Sequence, residues 1–148
     1  MAKKIYLDTC SLQRPLDSKT QIRLILEAEA ILGILAMIES NKIELVASDI
    51  LLAEINRQPN ATRQEYALEV LSKASTFVSF DEHVKRRAEE FENFGIKPLD
   101  ALHLASAEQA QVDYFCTCDD RFLKKAKIIP NLETRVVSPI ELVEEVEQ

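Results

Sequence analysis

Four acidic residues, Asp8, Glu54, Asp100 and Asp119, stand where an α/β chain can bring side chains together. Asp8 ends a short apolar run, Ile5-Tyr-Leu, and Asp119 ends another at residues 112–118. Glu54 falls about one turn into a helical pattern that follows residues 43–47. Asp100 falls in the first turn of a helix that Pro98 can open. In a parallel sheet, functional groups gather at the carboxyl ends of strands and the starts of adjoining helices, so all four acids are expected at one edge. Converging carboxylates repel one another unless a cation sits among them. Hard divalent cations such as Mg²⁺ take oxygen ligands of this kind, together with waters and substrate phosphates. One or two such ions can activate a water and stabilise the leaving oxygen of a phosphodiester. The sequence holds no Ser/His/Asp set, phosphate-binding Gly loop or paired-Cys zinc motif to compete for that edge.

Each acid also has a plainer reading. Asp8 and Asp119 are turn and cap residues by type. Glu54 lies among Ile50, Leu51, Leu52, Ala53 and Ile55, where an acid can mark a solvated face, yet it is the only acid on that segment past the cap. Asp100 can serve as a helix-dipole partner. Asp120 reads as the cap of the next helix or as a secondary ligand.

The neighbours divide in the same way. His103, one turn after Asp100, is expected to be a packed histidine hydrogen-bonded to an acid rather than a catalytic group. Cys116 and Cys118 are expected to be buried thiols on one side of a strand, since soft ligands without a nearby histidine or further cysteine do not complete a zinc site. Arg121, Lys124, Lys125 and Lys127 either steer a phosphate backbone or form the solvated face of a short helix. Arg86 and Arg87 read as solvent charges.

The elements that would position these residues alternate between strand and helix. Residues 4–7 form a first strand, followed by a polar loop containing Arg14, Pro15 and Asp17. Residues 20–40 carry apolar side chains on more than one face, which predicts a helix buried on two sides, by the sheet and either by a second subunit or within the same one. Residues 43–47 read as the second strand, with Ser48 or Asp49 capping the helix that carries Glu54. A helix at 62–74 and a strand at 76–80 follow, then a helix begun by Asp81 and ended by Gly95. The helix after Pro98 is rich in small residues. A strand at 112–118, a short basic helix and a strand at 134–137 complete the alternation. Ser138-Pro-Ile-Glu141 is a capping box that starts the last helix. The pattern predicts residues 1–148 as one α/β domain, a three-layer α/β/α sandwich with a central parallel sheet.

A net charge of −7 argues against a general nucleic-acid coat protein, though an acid cluster that holds cations is one source of such a charge. No apolar stretch is long enough to span a membrane, and the N-terminus reaches Asp8 too soon for a signal peptide. Three cysteines without scaffold spacing suit the reducing cytoplasm.

Four segments together resemble the PIN-domain family. They are Ile5-Tyr-Leu-Asp8-Thr9, the junction from Ser48 to Glu54, Pro98-Leu-Asp100-Ala-Leu-His-Leu-Ala105, and Phe115-Cys-Thr117-Cys-Asp119-Asp-Arg-Phe122. The last two are the most specific, and the resemblance covers nearly the whole chain. It implies an Mg²⁺- or Mn²⁺-dependent nuclease that cuts single-stranded or structured RNA, often as a homodimer. By position, Asp8, Glu54, Asp100 and Asp119 would be its metal-binding acids. Many short members are the toxin of a VapBC-type toxin–antitoxin pair, which implies a cognate antitoxin as partner; the alternative is a catalytically silent module that binds RNA or protein. Members often carry Asn or Ser two residues after the first Asp, where this chain has Cys10 followed by Ser11.

Overall fold

The computed structural model describes residues 2–147. Among these residues five strands form one parallel sheet: β1 (Lys3–Leu7), β2 (Ile43–Ser48), β3 (Thr76–Val78), β4 (Tyr114–Cys116) and β5 (Arg135–Val137). Their spatial order is β3-β2-β1-β4-β5. The order reverses between β1 and β4, and the crevice beyond the strand ends at such a switch point is where α/β proteins place ligands. Asp8 and Asp119 follow these two strands.

Among the described residues, eight helices cover the sheet: α1 (Thr9–Gln13), α2 (Ile22–Glu39), α3 (Asp49–Asn56), α4 (Ala61–Leu71), α5 (Glu82–Glu92), α6 (Pro98–Gln109), α7 (Asp120–Lys127) and α8 (Pro139–Val146). Side chains alternate across the strands and divide the core into two layers. Tyr6, Val46, Phe115 and Val136 face one layer, packed with Phe91, Leu104 and Phe122 from α5, α6 and α7. Ile5, Leu7, Leu45, Cys116 and Val137 face the other, packed with Leu12, Ile31, Ile34 and Leu142 from α1, α2 and α8. The expected α/β/α sandwich is the one observed. Among the described residues no helix is long and apolar enough to cross a membrane.

Several local expectations change. The segment after Asp8 is not a loop but α1 followed by a 3₁₀ turn, Arg14–Leu16. The Asp8 carboxylate caps α1 by accepting from the Ser11 N–H, and fully buried Leu12 anchors it. Within one chain, helix α2 buries one side, through Ala28, Ile31, Ile34 and Ile38. On its outer side Ile22 is 76% exposed and Leu26 51%, with Ile25 and Leu32 also exposed. Strand β4 ends at Cys116, so Cys118 lies beyond the strand rather than beside Cys116 on its face; both thiols are buried as expected. Arg87 is not a plain solvent charge: it pairs with Glu90 and Glu108 and lies 4.4 Å over the Phe91 ring.

Phe115 links the core to the strand ends, stacking on Tyr6 with ring centroids 5.1 Å apart and meeting Phe122 edge-on at 5.4 Å. Phe115→Ala is expected to lower the unfolding free energy by about 3–5 kcal/mol, as buried aromatic truncations do, measured by urea denaturation.

Candidate active site

Asp8 follows the central strand and is 95% shielded from solvent, with 5% relative exposure. Its Oδ1 accepts from the Ser11 N–H at 3.0 Å and from the Cys10 thiol at 3.1 Å. Asp119 repeats the arrangement after β4. It caps α7, with Oδ1 accepting from the N–H groups of Arg121 (3.0 Å) and Phe122 (3.2 Å). Among the described residues, no hydrogen bond falls on the Oδ2 atom of either aspartate. Capping and site-building are therefore compatible: one oxygen of each carboxylate fixes a helix N-terminus, and the second is left over.

Glu54 reaches the same place from α3, whose N-cap is Ser48 rather than Asp49. Its Oε1 accepts from the Thr9 hydroxyl and from His103 Nε2 at 2.8 Å. His103 is itself 1% exposed, and its Nδ1 lies 2.7 Å from the Tyr6 hydroxyl, which lies 2.7 Å from Ser48 Oγ. The Leu51 N–H donates to that same Oγ. One proton arrangement satisfies the whole chain: Ser48 donates to Tyr6, Tyr6 to His103 Nδ1, and His103 Nε2 to Glu54. His103 is thus the packed, acid-bonded histidine the sequence suggested. Burial alone would raise the Glu54 carboxyl, but the hydrogen bonds from His103 and Thr9 outweigh it and hold the group below its ordinary value.

Asp100 is treated differently. It stands in the first turn of α6 and takes no side-chain hydrogen bond among the described residues. Burial, and then the nearby charges of Asp8 and Asp119, push its carboxyl up to about 6. The four acids line one cavity of about 150 Å³, together with Thr9, Cys10 and His103. As placed, no three His, Cys, Asp or Glu side chains among the described residues are drawn together closely enough to hold a metal ion. The cavity gathers the acids, and a bound ion would have to draw their free oxygens inward.

Other predicted residues fall nearby. Asp120 is not the cap of α7; it sits in the first turn and is held by both terminal nitrogens of Arg23, at 2.6 and 2.7 Å. An adjoining cavity of about 60 Å³ shares Asp100 and Asp119 and is also lined by Lys97, Arg121 and Lys125. Lys127 points elsewhere, pairing with Glu141 at 2.9 Å. A larger depression of about 690 Å³ lies at the amino ends of the strands, among Lys3, Lys4, Glu44, Lys73 and Asp113. Its charges are of mixed sign, which gives it no reason to collect cations. Thr9, Cys10, Tyr6 and Ser48 were not singled out from sequence as site residues. The available signal was Tyr6 itself, since a tyrosine on a buried strand needs a partner for its hydroxyl.

A family model for the PIN domain matches residues 5–128. The chain belongs to the PIN-domain family. Among solved structures, FitAcB from Neisseria gonorrhoeae is similar over 92% of this chain and 98% of that one, at 20% identity and a TM-score of 0.61. VapBC2 from Rickettsia felis, bound to a DNA fragment from its promoter, matches over 91% and 98%, at 16% identity and a TM-score of 0.58. PAE2754 from Pyrobaculum aerophilum matches over 99% and 98%, at 15% identity and a TM-score of 0.56. At these identities the likeness shows the fold of this PIN domain. No curated protein sequence matches the chain.

The raised Asp100 carboxyl sets a pH dependence for the cation-free PIN domain. The folded value, about 6, lies above the ordinary value of 3.8. The neutral form is therefore favoured by folding, and its contribution is fully present below pH 3.8 and lost as the pH rises through about 6. Urea denaturation of chelator-treated protein is expected to show a decline in stability across that window, and Asp100→Asn is expected to flatten it.

Proposed function

We propose that this PIN domain is a metal-dependent endoribonuclease that hydrolyses RNA phosphodiester bonds, acting as the toxin of a VapBC-type toxin–antitoxin pair. The observation that carries the reading is the convergence of Asp8, Glu54, Asp100 and Asp119 on one cavity at the switch point of a parallel sheet. The donor set fits Mg²⁺ or Mn²⁺, because every candidate ligand is a hard carboxylate oxygen and the repulsion felt at Asp100 is what a cation would relieve. When bound, such a cation supplies Lewis acidity, activating a water and neutralising charge on the leaving oxygen.

The chain's own residues orient the site. Asp8 and Asp119 are fixed through Oδ1 by the helix N-termini they cap. Thr9 and His103 hold Glu54 through Oε1, and Tyr6 and Ser48 hold His103 in turn. His103 is a positioning residue in this account. Lys97, Arg121 and Lys125, around the adjoining cavity, supply the local positive charge that a phosphate backbone needs on an otherwise acidic protein.

Two partners follow from the toxin reading, a cognate antitoxin and a second copy of the chain in a homodimer. The outer face of α2, with Ile22, Ile25, Leu26 and Leu32 exposed, offers the apolar area such an interface buries. The VapBC2 structure supports the toxin–antitoxin assignment by similarity of fold. The residues 1–148 act as one cytoplasmic nuclease domain.

Cleavage of a labelled single-stranded RNA pool, with Mg²⁺, Mn²⁺ or EDTA, tests the proposal on antitoxin-free protein. Cutting is expected only with metal. Asp8→Asn and Asp100→Asn are each expected to reduce it by more than the roughly 10–100-fold that loss of an outer support costs. Folded protein that cuts nothing with either metal would be a silent binding module instead. Cutting that survives both substitutions would place the activity elsewhere.

A further inference from the structure

The turn that joins α5 to α6 passes the edge of the acid site. Gly95, Ile96 and Lys97 of this turn line the smaller cavity together with Asp100, Asp119, Arg121 and Lys125. Phe94, the residue before Gly95, keeps 39% of its surface in water. It does not sit on a loose loop. Its N–H donates to the Phe91 carbonyl at 3.0 Å, and the Gly95 N–H donates to the Glu92 carbonyl at 3.0 Å. Gly95 has a φ of +83°, which reverses the chain directly after the ring. The Lys125 ammonium then donates to the Gly95 carbonyl at 2.8 Å, and Ile96 is buried in the core. The turn is pinned before and after Phe94, so the ring is held outward.

The setting of the ring is basic. Lys97 and Arg121 are exposed, and among the described residues neither pairs with an acid, whereas Arg23, Arg87 and Lys127 do. An open aromatic ring beside unpaired cations, on a chain of net charge −7, suits a polyanion that also carries flat apolar faces. Single-stranded nucleic acid is such a ligand, because its bases offer π-faces and its backbone offers the charge. In a duplex those faces are covered by stacked neighbours. Asp100 and Asp119 border both cavities, which puts the ring beside the acids rather than on a remote surface.

We propose that Phe94 is a specificity-determining residue, whose ring stacks on a base next to the phosphodiester to be cut while Lys97 and Arg121 take the flanking phosphates. The domain then selects nucleotides that are free of duplex stacking. The inference rests on the nuclease reading for its substrate and adds the residue that chooses among RNA forms.

The test measures binding of labelled oligoadenylate, alone or paired with oligouridylate, by fluorescence anisotropy with Ca²⁺ as the cation. Phe94→Ala and Phe94→Leu are each expected to weaken single-strand binding roughly 5- to 150-fold, the range for one base stacked on an aromatic ring. Phe94→Trp supplies the only tryptophan of a chain that has none, and its emission is expected to be quenched by the single strand and not by the duplex. Phe77→Trp, at an exposed position on the edge strand β3, is expected to keep its emission. Single-strand binding that Phe94→Ala leaves unchanged, or equal quenching by the duplex, overturns the subsite and leaves the nuclease reading standing. Phe94→Leu that binds as tightly as the wild type overturns stacking, since leucine keeps apolar bulk without a π-face. A wild-type dimer that Phe94→Ala dissociates in sedimentation assigns the ring to a second copy and overturns the proposal. Wild-type protein that binds neither RNA form overturns the subsite and counts against the nuclease reading as well.

Discussion

Repulsion among four carboxylates around a cavity of about 150 Å³ is the constraint that the surrounding structure is arranged to bear. Three of the acids are each anchored through a single oxygen. Asp8 and Asp119 anchor on the N–H groups of helices that start beside them, where the helix dipole favours negative charge. Glu54 anchors on Thr9 and His103. Asp100 has no such anchor among the described residues, and burial, then the charges of Asp8 and Asp119, push its carboxyl up to about 6. An arrangement that immobilises one oxygen of each anchored acid while leaving negative charge in excess suits a cation better than it suits an empty fold.

The sheet makes this possible because β1 is its central strand and stands at the switch point. Leu7 and Ile5 face one core layer while Tyr6, between them, faces the other. Tyr6 then serves both core and site. Its ring stacks on Phe115, and its hydroxyl joins Ser48 at the end of β2 to His103 on α6. Packing on the core side thus sets where Glu54 is held, across three elements that are far apart in sequence.

How much of this was legible depended on whether the determining forces were local. Strand ends at Asp8 and Asp119, the Pro98 start of α6 and the Ser138 capping box are local signals, and the elements they mark are present. Helix α1 was missed because Thr9-Cys-Ser-Leu-Gln13 has weak helix propensity; the cap from Asp8 and the burial of Leu12 make it a helix. Between two adjacent aspartates, composition cannot choose the cap. Asp119 takes that role because β4 ends close before it, while Asp120 is drawn outward by Arg23, a partner 97 residues away. The apolar run of α2 was readable, but which of its faces meets the sheet is a tertiary fact. The partners of Glu54 were invisible for the same reason, since Thr9 and His103 lie 45 and 49 residues from it.

The central claim is that the four acids hold a divalent cation, and direct titration of chelator-stripped protein with Mn²⁺, followed through the electron paramagnetic resonance signal of the free ion, tests it without any RNA. The account predicts saturable binding by the wild type that Asp8→Asn and Asp119→Asn each weaken at least tenfold, with both variants still folded by circular dichroism. Wild-type protein that leaves the free Mn²⁺ signal as it is in buffer, or variants that bind as tightly as the wild type, would contradict it.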